Sequence, residues 1–256
     1  MHTTVILVTH QSARVLDACL DQLDGQPGLS VQVVDNASTD GTRERAQARG
    51  VRLLARPHNT GFAAAANAGA QLADSPLLCF LNPDCHLTTE TLAAARAALT
   101  DRPRACATPD FTQGDALVPG RQPGYTWRKV LADLMENNGR MPRLARHLRA
   151  HPRHHDHRWH WPLGTCLFVP TALFHELGGF DERYFLYMED VEFGWRLHQA
   201  GGEVIALPTC VAHGSMQGSA LALAQRLPLL NAARRQFARR HYGILVGGLA
   251  RWMGRP

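Results

Sequence analysis

The chain opens on Thr4-Val5-Ile6-Leu7-Val8-Thr9, with four consecutive apolar side chains. A run without alternation predicts a strand covered on both faces. Val15, Leu16, Cys19, Leu20 and Leu23 then recur at helical spacing over 13–23, and glycines at 25 and 28 break the pattern. The two signals repeat. Strands are predicted at 31–35, 51–54 and 77–81, and helices at 41–49, 61–73 and 89–99, the last capped by Thr88 or Thr89. Short apolar strands alternating with helices predict a parallel sheet with helices on both faces.

The alternation stops at 113. Residues 113–161 are rich in Arg and His and carry Pro119, Pro123, Pro142 and Pro152. They predict two short helices, 127–134 and 141–148, within a mobile basic loop. Residues 161–170 read as a turn and a buried strand. A helix at 191–200 places Phe193, Leu197 and Ala200 on one side and is ended by Gly201-Gly202. A last strand follows at 204–207, with a loop at 211–214. From 220 to 242, Leu223, Leu227, Leu230 and Phe237 recur at helical spacing, with Arg235 and Arg239 roughly opposite. Pro228 divides this stretch into two helices or begins the second. Ile244, Leu245, Val246, Leu249 and Trp252 continue the apolar content.

A chain of 256 residues can bury a full core. With no run of about eighteen apolar residues, no spanning helix is expected. The first residues carry no basic segment before the apolar run, so the expected location is the cytoplasm. The six cysteines form no C-x-x-C pair and four lie in apolar runs, which predicts buried free thiols. The net charge of +5 is unevenly spread: residues 1–120 hold 9 basic and 12 acidic side chains, residues 121–256 hold 18 and 10. The basic half suits nucleic acid, an anionic membrane or a phosphorylated substrate. Its arginines are not interleaved with a regular set of aromatics, which argues against nucleic acid.

Ligands of open α/β sheets bind outside the carboxyl ends of the strands. The polar residues of the first half gather there: Thr9 and His10, Asp35 to Gly41, His58 to Phe62, and Asn82-Pro83-Asp84. Each alone is ordinary turn chemistry; four at one edge predict a polar site. No G-x-G-x-x-G follows the first strand, no P-loop motif occurs, and no G-x-S-x-G elbow appears. Asp35 is placed to hydrogen-bond a nucleoside. The second acidic feature is Gly178 to Arg196, where Asp181, Glu182, Glu189, Asp190 and Glu192 sit among aromatic and aliphatic residues. Desolvation there raises a carboxyl pKa toward the range useful for proton transfer. Glu189 and Asp190 fall at the mouth of a helix, the positive end that favours carboxylates. The histidines at 147, 151, 154, 155, 157 and 160 match no standard zinc spacing.

Val33 to Gly41, Asn59-Thr60-Gly61-Phe62-Ala63 with Asn67 and Gly69, Phe80 to Asp84, Gly178 to Asp190, and His213 stand in one order. On these pieces the chain resembles the inverting family-2 glycosyltransferases of GT-A fold, in their rhamnosyltransferase-like branch. The resemblance implies an α/β, Rossmann-like, nucleotide-diphospho-sugar transferase fold: a mostly parallel sheet flanked by helices, with a C-terminal helical segment. The organisation it implies is a transferase domain over 1–215 and a basic helical tail over 216–256. Within the domain, 1–112 is the nucleotide-binding half, 113–161 an insertion, and 162–215 the acceptor and catalytic half.

The resemblance also implies roles. Thr9, Asp35 and Asn36 line the nucleoside pocket, and Asn59, Gly61, Phe62 and Asn67 shape the nucleotide and sugar site. Asp40, Asn82, Trp161 and Gly164 complete the substrate contacts. Asp84 holds Mg²⁺ or Mn²⁺ at the second acid of a D-x-D motif whose first acid is here Asn82, and His213 completes the metal site. Asp190 is the catalytic base, with Glu189 beside it. The donor is a dTDP- or UDP-linked sugar, rhamnose by the branch name, and the acceptor is a glycan or a lipid-linked glycan of cell-surface polysaccharide synthesis. The basic amphipathic tail itself reads either as a terminal helix packed on the domain with a solvated basic face or as a peripheral attachment to an anionic membrane surface, at the inner face of the cell membrane. The competing expectation is a catalytically silent sugar-nucleotide or glycan-binding module on the same fold.

Overall fold

The computed structural model describes residues 1–139, 141–151, 154–214 and 223–253. The first half alternates as its pattern predicts: β1 (Thr3–Thr9), α1 (Ala13–Leu23), β2 (Leu29–Asn36), α2 (Thr42–Ala48), β3 (Arg52–Arg56), α3 (Phe62–Ala70) and β4 (Leu77–Leu81). These strands pair in parallel, β1 lying between β2 and β4, with β3 beyond β2. The unbroken apolar run of β1 is explained by its two covered faces. Val5 and Leu7 enter one core cluster with α1 and α4 (Thr89–Leu99), and Ile6 enters another with α3. Thr88 caps α4, its hydroxyl accepting the Thr91 N–H at 3.1 Å.

Beyond α4 the sheet continues in a way the apolar pattern does not reveal. A two-residue strand, β5 (Cys85–His86), precedes α4, and β6 (Ala105–Gln113) and β7 (Ala116–Val118) follow it. Pro109, Asp110 and Thr112 within β6 hide it from a hydrophobicity reading. The region expected to be a mobile loop instead contains β8 (Arg121–Tyr125), α5 (Trp127–Asn137), α6 (Pro142–Ala150) and β9 (His155–Pro162). β8 and β9 pair antiparallel as a separate ribbon, held by Trp159 and Trp161, which are buried while His160 between them stays partly accessible.

The chain then supplies β10 (Cys166–Pro170), α7 (Thr171–Glu176), α8 (Glu189–Gln199), β11 (Glu203–His213), α9 (Leu223–His241) and α10 (Gly243–Met253). β10 inserts between β4 and β6 antiparallel to both, so the main sheet runs β3-β2-β1-β4-β10-β6-β11-β5 and is mixed rather than wholly parallel. β11 runs on to His213 where a loop was expected, because Cys210 to Ala212 pair with β6 and His213 pairs with Cys85. α9 runs through Pro228 unbroken, at the cost of the one i→i−4 hydrogen bond that a residue without an N–H cannot make.

A third apolar cluster joins the insertion, the acidic helix and the tail: Val130, Leu131 and Leu134 of α5, Trp159 and Trp161 of β9, Val191 of α8, Phe237 of α9 and Ala250 of α10. Five cysteines are buried free thiols and Cys210 is exposed. Among the described residues no helix is long and apolar enough to cross a membrane. Of the tail, 215–222 and 254–256, with Arg255, lie outside the described residues, as do Arg140, Pro152 and Arg153.

Candidate active site

The parallel strands β1, β2, β4, β6 and β11 all end at one edge of the sheet, and antiparallel β10 begins there. A cavity of about 420 Å³ opens at that edge. Asn36, Asn59, Gly61, Phe62, Asn82, Asp84, Gly164, Glu189, Asp190 and His213, all named from sequence, line it together.

Asp84 and His213 meet through local pairing. The Asn82-Pro83-Asp84 turn delivers the chain into β5, whose Cys85 faces His213 across the ladder. The Asp84 carbonyl accepts the Gly214 N–H at 2.7 Å. As a result His213 Nε2 lies 3.3 Å from Asp84 Oδ1. A carboxylate oxygen and an imidazole nitrogen at that separation form a donor pair suited to Mn²⁺ and acceptable to Mg²⁺, with further positions left for oxygens of a ligand. The Cys85 thiol lies in the same group but is buried in the apolar core. Among the described residues no comparable group forms in the histidine-rich segment.

The acidic helix is set by its entry. Tyr187 and Met188 both take positive φ, 71° and 69°, immediately before α8. Left-handed backbone at two consecutive non-glycine residues is unfavourable, and persists where surrounding packing fixes it. Met188 is buried, and Tyr187 packs against the same cluster. Glu189 and Asp190 are thereby held at the first turn. Asp190 accepts the Gly164 N–H at 3.0 Å on Oδ2 and the Val191 N–H at 2.8 Å on Oδ1. Burial pushes its pKa up to about 6, the two amides opposing the shift. Glu189 is 6 % exposed, and its Oε2 has no protein partner. Burial, then the charge of Asp190, pushes its carboxyl well above the usual range. Two adjacent acids with unlike environments give one ionisable group and one neutral acid near pH 7.

Five residues named from sequence stand outside the cavity lining. Asp35 is fully buried, accepting from the Thr9 hydroxyl at 3.2 Å, the Ser38 N–H at 3.0 Å and Arg43 Nε at 2.5 Å. Thr9 and Asp35 therefore pin the loop behind the cavity. Asp40 accepts from the Thr42 hydroxyl and the Ala13 N–H, tying α2 to α1. Asn67 clamps the acidic loop: its amide donates to the Phe180 carbonyl and accepts the Phe180 N–H, both at 2.8 Å. Trp161 donates Nε1–H to the Pro123 carbonyl and packs in the third core cluster. In each case a neighbouring element claims the polar group, which sequence spacing cannot register.

Within the lining, Asn36 donates to Asn59 Oδ1 at 2.8 Å and to the Gly61 carbonyl at 3.0 Å, and accepts the Thr60 N–H at 3.0 Å. Gly61 has φ 86°, and a Cβ there would lie 2.3 Å from the Phe185 carbonyl oxygen. The Phe62 N–H donates to that same carbonyl at 2.7 Å, so the absence of a side chain lets the acidic loop dock on the start of α3. His10, Phe185, Tyr187 and Arg226 also line the cavity and were not among the chosen site residues. His10 was visible as a polar residue at a strand end. Arg226 had no local signal, since α9 brings it back from the far end of the chain.

The fold is that of the GT-A glycosyltransferases. Glucosyl-3-phosphoglycerate synthase from Mycobacterium tuberculosis, solved with Mn²⁺, uridine diphosphate and glucosyl-3-phosphoglycerate, superposes with a TM-score of 0.62 over 95 % of this chain and 81 % of its own, at 14 % identity. The chain belongs to glycosyl transferase family 2, whose model matches residues 4–159. It is 31 % identical over 225 residues to the N-acetylglucosaminyl-diphospho-decaprenol L-rhamnosyltransferase of Mycobacterium tuberculosis (strain CDC 1551 / Oshkosh), covering 80 % of this chain and 73 % of that protein. It is 29 % identical over 219 residues to the validoxylamine A glucosyltransferase of Streptomyces hygroscopicus subsp. jinggangensis (strain 5008), covering 77 % of this chain and 51 % of that one. It is a glycosyltransferase.

Proposed function

We propose that the protein is a divalent-metal-dependent inverting glycosyltransferase. It moves a sugar from a nucleoside-diphosphate donor to a hydroxyl of a lipid-linked or glycan acceptor. The observation that carries this reading is the Asp84–His213 pair, 3.3 Å apart, in one cavity with Asp190. Asp84 and His213 would hold Mg²⁺ or Mn²⁺. When bound, that cation supplies charge neutralisation for the departing diphosphate. Asp190, steadied by the Gly164 amide, takes the proton from the acceptor hydroxyl as its oxygen attacks the anomeric carbon opposite the leaving group, which inverts that centre. Glu189, neutral beside it, keeps a second negative charge away from the base and is free to donate to a substrate oxygen. Phe62, Phe185 and Tyr187 wall the site with apolar surface, which limits water as a competing acceptor. Arg226 adds a guanidinium suited to phosphate oxygens.

The donor is a dTDP- or UDP-linked sugar; the L-rhamnosyltransferase relative supports a deoxysugar and a polyprenol-diphosphate-linked acceptor. Such an acceptor fits work at the inner face of a cell membrane. Thermal shift with UDP, dTDP and GDP and their sugars, with and without Mn²⁺, tests the donor class, followed by turnover of those that bind. A rise in melting temperature that needs both nucleotide and Mn²⁺ is expected. Stabilisation by none of them, with no turnover, would overturn the reading.

A further inference from the structure

We infer that the outward face of α10 is a docking surface for an anionic phospholipid bilayer. α10 folds back along α9 and has two apolar faces. The inner one is closed by protein: Ala250 is fully buried, Val246 packs on the third core cluster, and a Cβ at Gly247 would lie 2.9 Å from Arg239 Cα. The outer one carries Ile244, Leu245, Leu249 and Trp252, exposed by 88, 89, 42 and 58 %. Leu245, Leu249 and Trp252 stand at i, i+4 and i+7, which aligns them on one stripe beside Ile244. Single apolar residues on a surface are ordinary; a stripe of large ones marks an interaction site.

The charge around the stripe selects the occupant. From Val204 to Pro256 the chain has no acidic residue and seven arginines. Arg234 and Arg240 have acidic partners within the fold. Arg234 pairs with Asp133 at 2.9 Å, and Arg240 bonds Asp181 at 2.6 Å. Arg239 is exposed and touches α10 at Gly247, and Arg251 belongs to α10 itself. A second copy meeting this face would oppose like charge to like charge, whereas an anionic bilayer offers apolar depth and counter-charge together. At eleven residues α10 is about 16 Å long, too short to span, so it would lie in the membrane plane.

Arg234 is largely covered where α9 packs on Asp133 of α5, and the exposed Arg240 is held beside Glu192 of α8. α9 also connects the surface to the site, since Arg226 near its start lines the cavity. A lipid-anchored acceptor in the same bilayer is then within reach. The inference takes its purpose from the proposed lipid-linked acceptor but its evidence from the exposed face of α10 and the basic charge beside it.

The test is co-sedimentation of the full chain with vesicles of phosphatidylcholine, alone or mixed equally with phosphatidylglycerol. Binding to the mixed vesicles, weakened by salt, is expected. Leu245→Ser with Leu249→Ser should lower the partition coefficient at least about tenfold. Arg239→Gln should lower it only at low salt. Lipids brominated on the acyl chains should quench part of the tryptophan emission of the wild type and less in Trp252→Phe. These positions are exposed, so unchanged melting temperatures are expected and separate lost docking from lost folding. Equal sedimentation of the Leu245/Leu249 variant and the wild type would overturn the inference. So would failure of the wild type to sediment, or a dimer seen by light scattering that the same substitutions dissolve. Nucleotide-dependent thermal shift, run on every variant, reports separately on the glycosyl-transfer reading.

Discussion

The Gly164 N–H donates to Oδ2 of Asp190 at 3.0 Å, joining the turn before β10 to the first turn of α8. That bond orients one carboxylate oxygen and leaves the acid partly open to the cavity. Asp190→Asn is therefore expected to retain nucleotide binding and to lose at least ~10²-fold in turnover, the scale of a lost general base. Isothermal titration and initial rates check the two halves. The base must be ionised, so kcat/KM should fall as pH drops through about 6, its raised pKa.

Glu189 gives a prediction of opposite sign for stability. Its carboxyl is pushed above the ordinary value of 4.5, so the folded state holds a proton that the unfolded state releases. Stability is then lost as pH rises from about 4.5 towards the folded pKa. Glu189→Gln mimics the neutral acid. It should raise the melting temperature near pH 7, with a gain that shrinks toward pH 4, and lower turnover less than Asp190→Asn does. If Glu189→Gln proves the less active variant, the roles of the pair are reversed.

Asp84→Ala should abolish turnover and the Mn²⁺ dependence of nucleotide binding while leaving the fold intact, because its side chain lines the cavity and takes no part in the apolar core. His213→Ala should act in the same direction more weakly. Thermal melts with nucleotide, with and without Mn²⁺, read the effect; unchanged metal-dependent turnover in the Asp84 variant would remove the assignment.

The tail is expected to be part of the folding unit. Glu192, fully buried, is 2.5 Å from His241 Nε2 and 3.6 Å from Arg240 Nε. Removing His241 takes away the hydrogen bond to this buried carboxylate and leaves it only the longer Arg240 and Arg196 contacts. His241→Ala should destabilise by on the order of 3 kcal/mol in urea unfolding, whereas Arg239→Gln, on the exposed side, should change stability little.

Gly61→Ala should be costly at a position with no catalytic atom. It forces a left-handed φ on a residue with a Cβ and drives that Cβ into the Phe185 carbonyl. A loss of about 2 kcal/mol or more is expected, with weaker donor binding as the acidic loop shifts; equal melting temperatures would contradict it.

The sequence by itself determined what local rules control. Apolar runs fixed β1, β2 and β4, helical spacing fixed α1, Thr88 announced α4, and the turns at the strand ends announced a polar edge. The acids of Gly178 to Arg196 announced a buried carboxylate pair. Tertiary structure decided the rest, because it depends on partners remote in the chain. β6 and the end of β11 are strands because they pair with each other, and β9 because two tryptophans find a core. Thr9, Asp35, Asp40, Asn67 and Trp161 have side chains fit for a ligand, yet neighbouring groups engage them. Arg226 lines the cavity, and Arg234 and Arg240 pair with Asp133 of α5 and Glu192 of α8, because packing of α9 brings it beside elements remote in the chain.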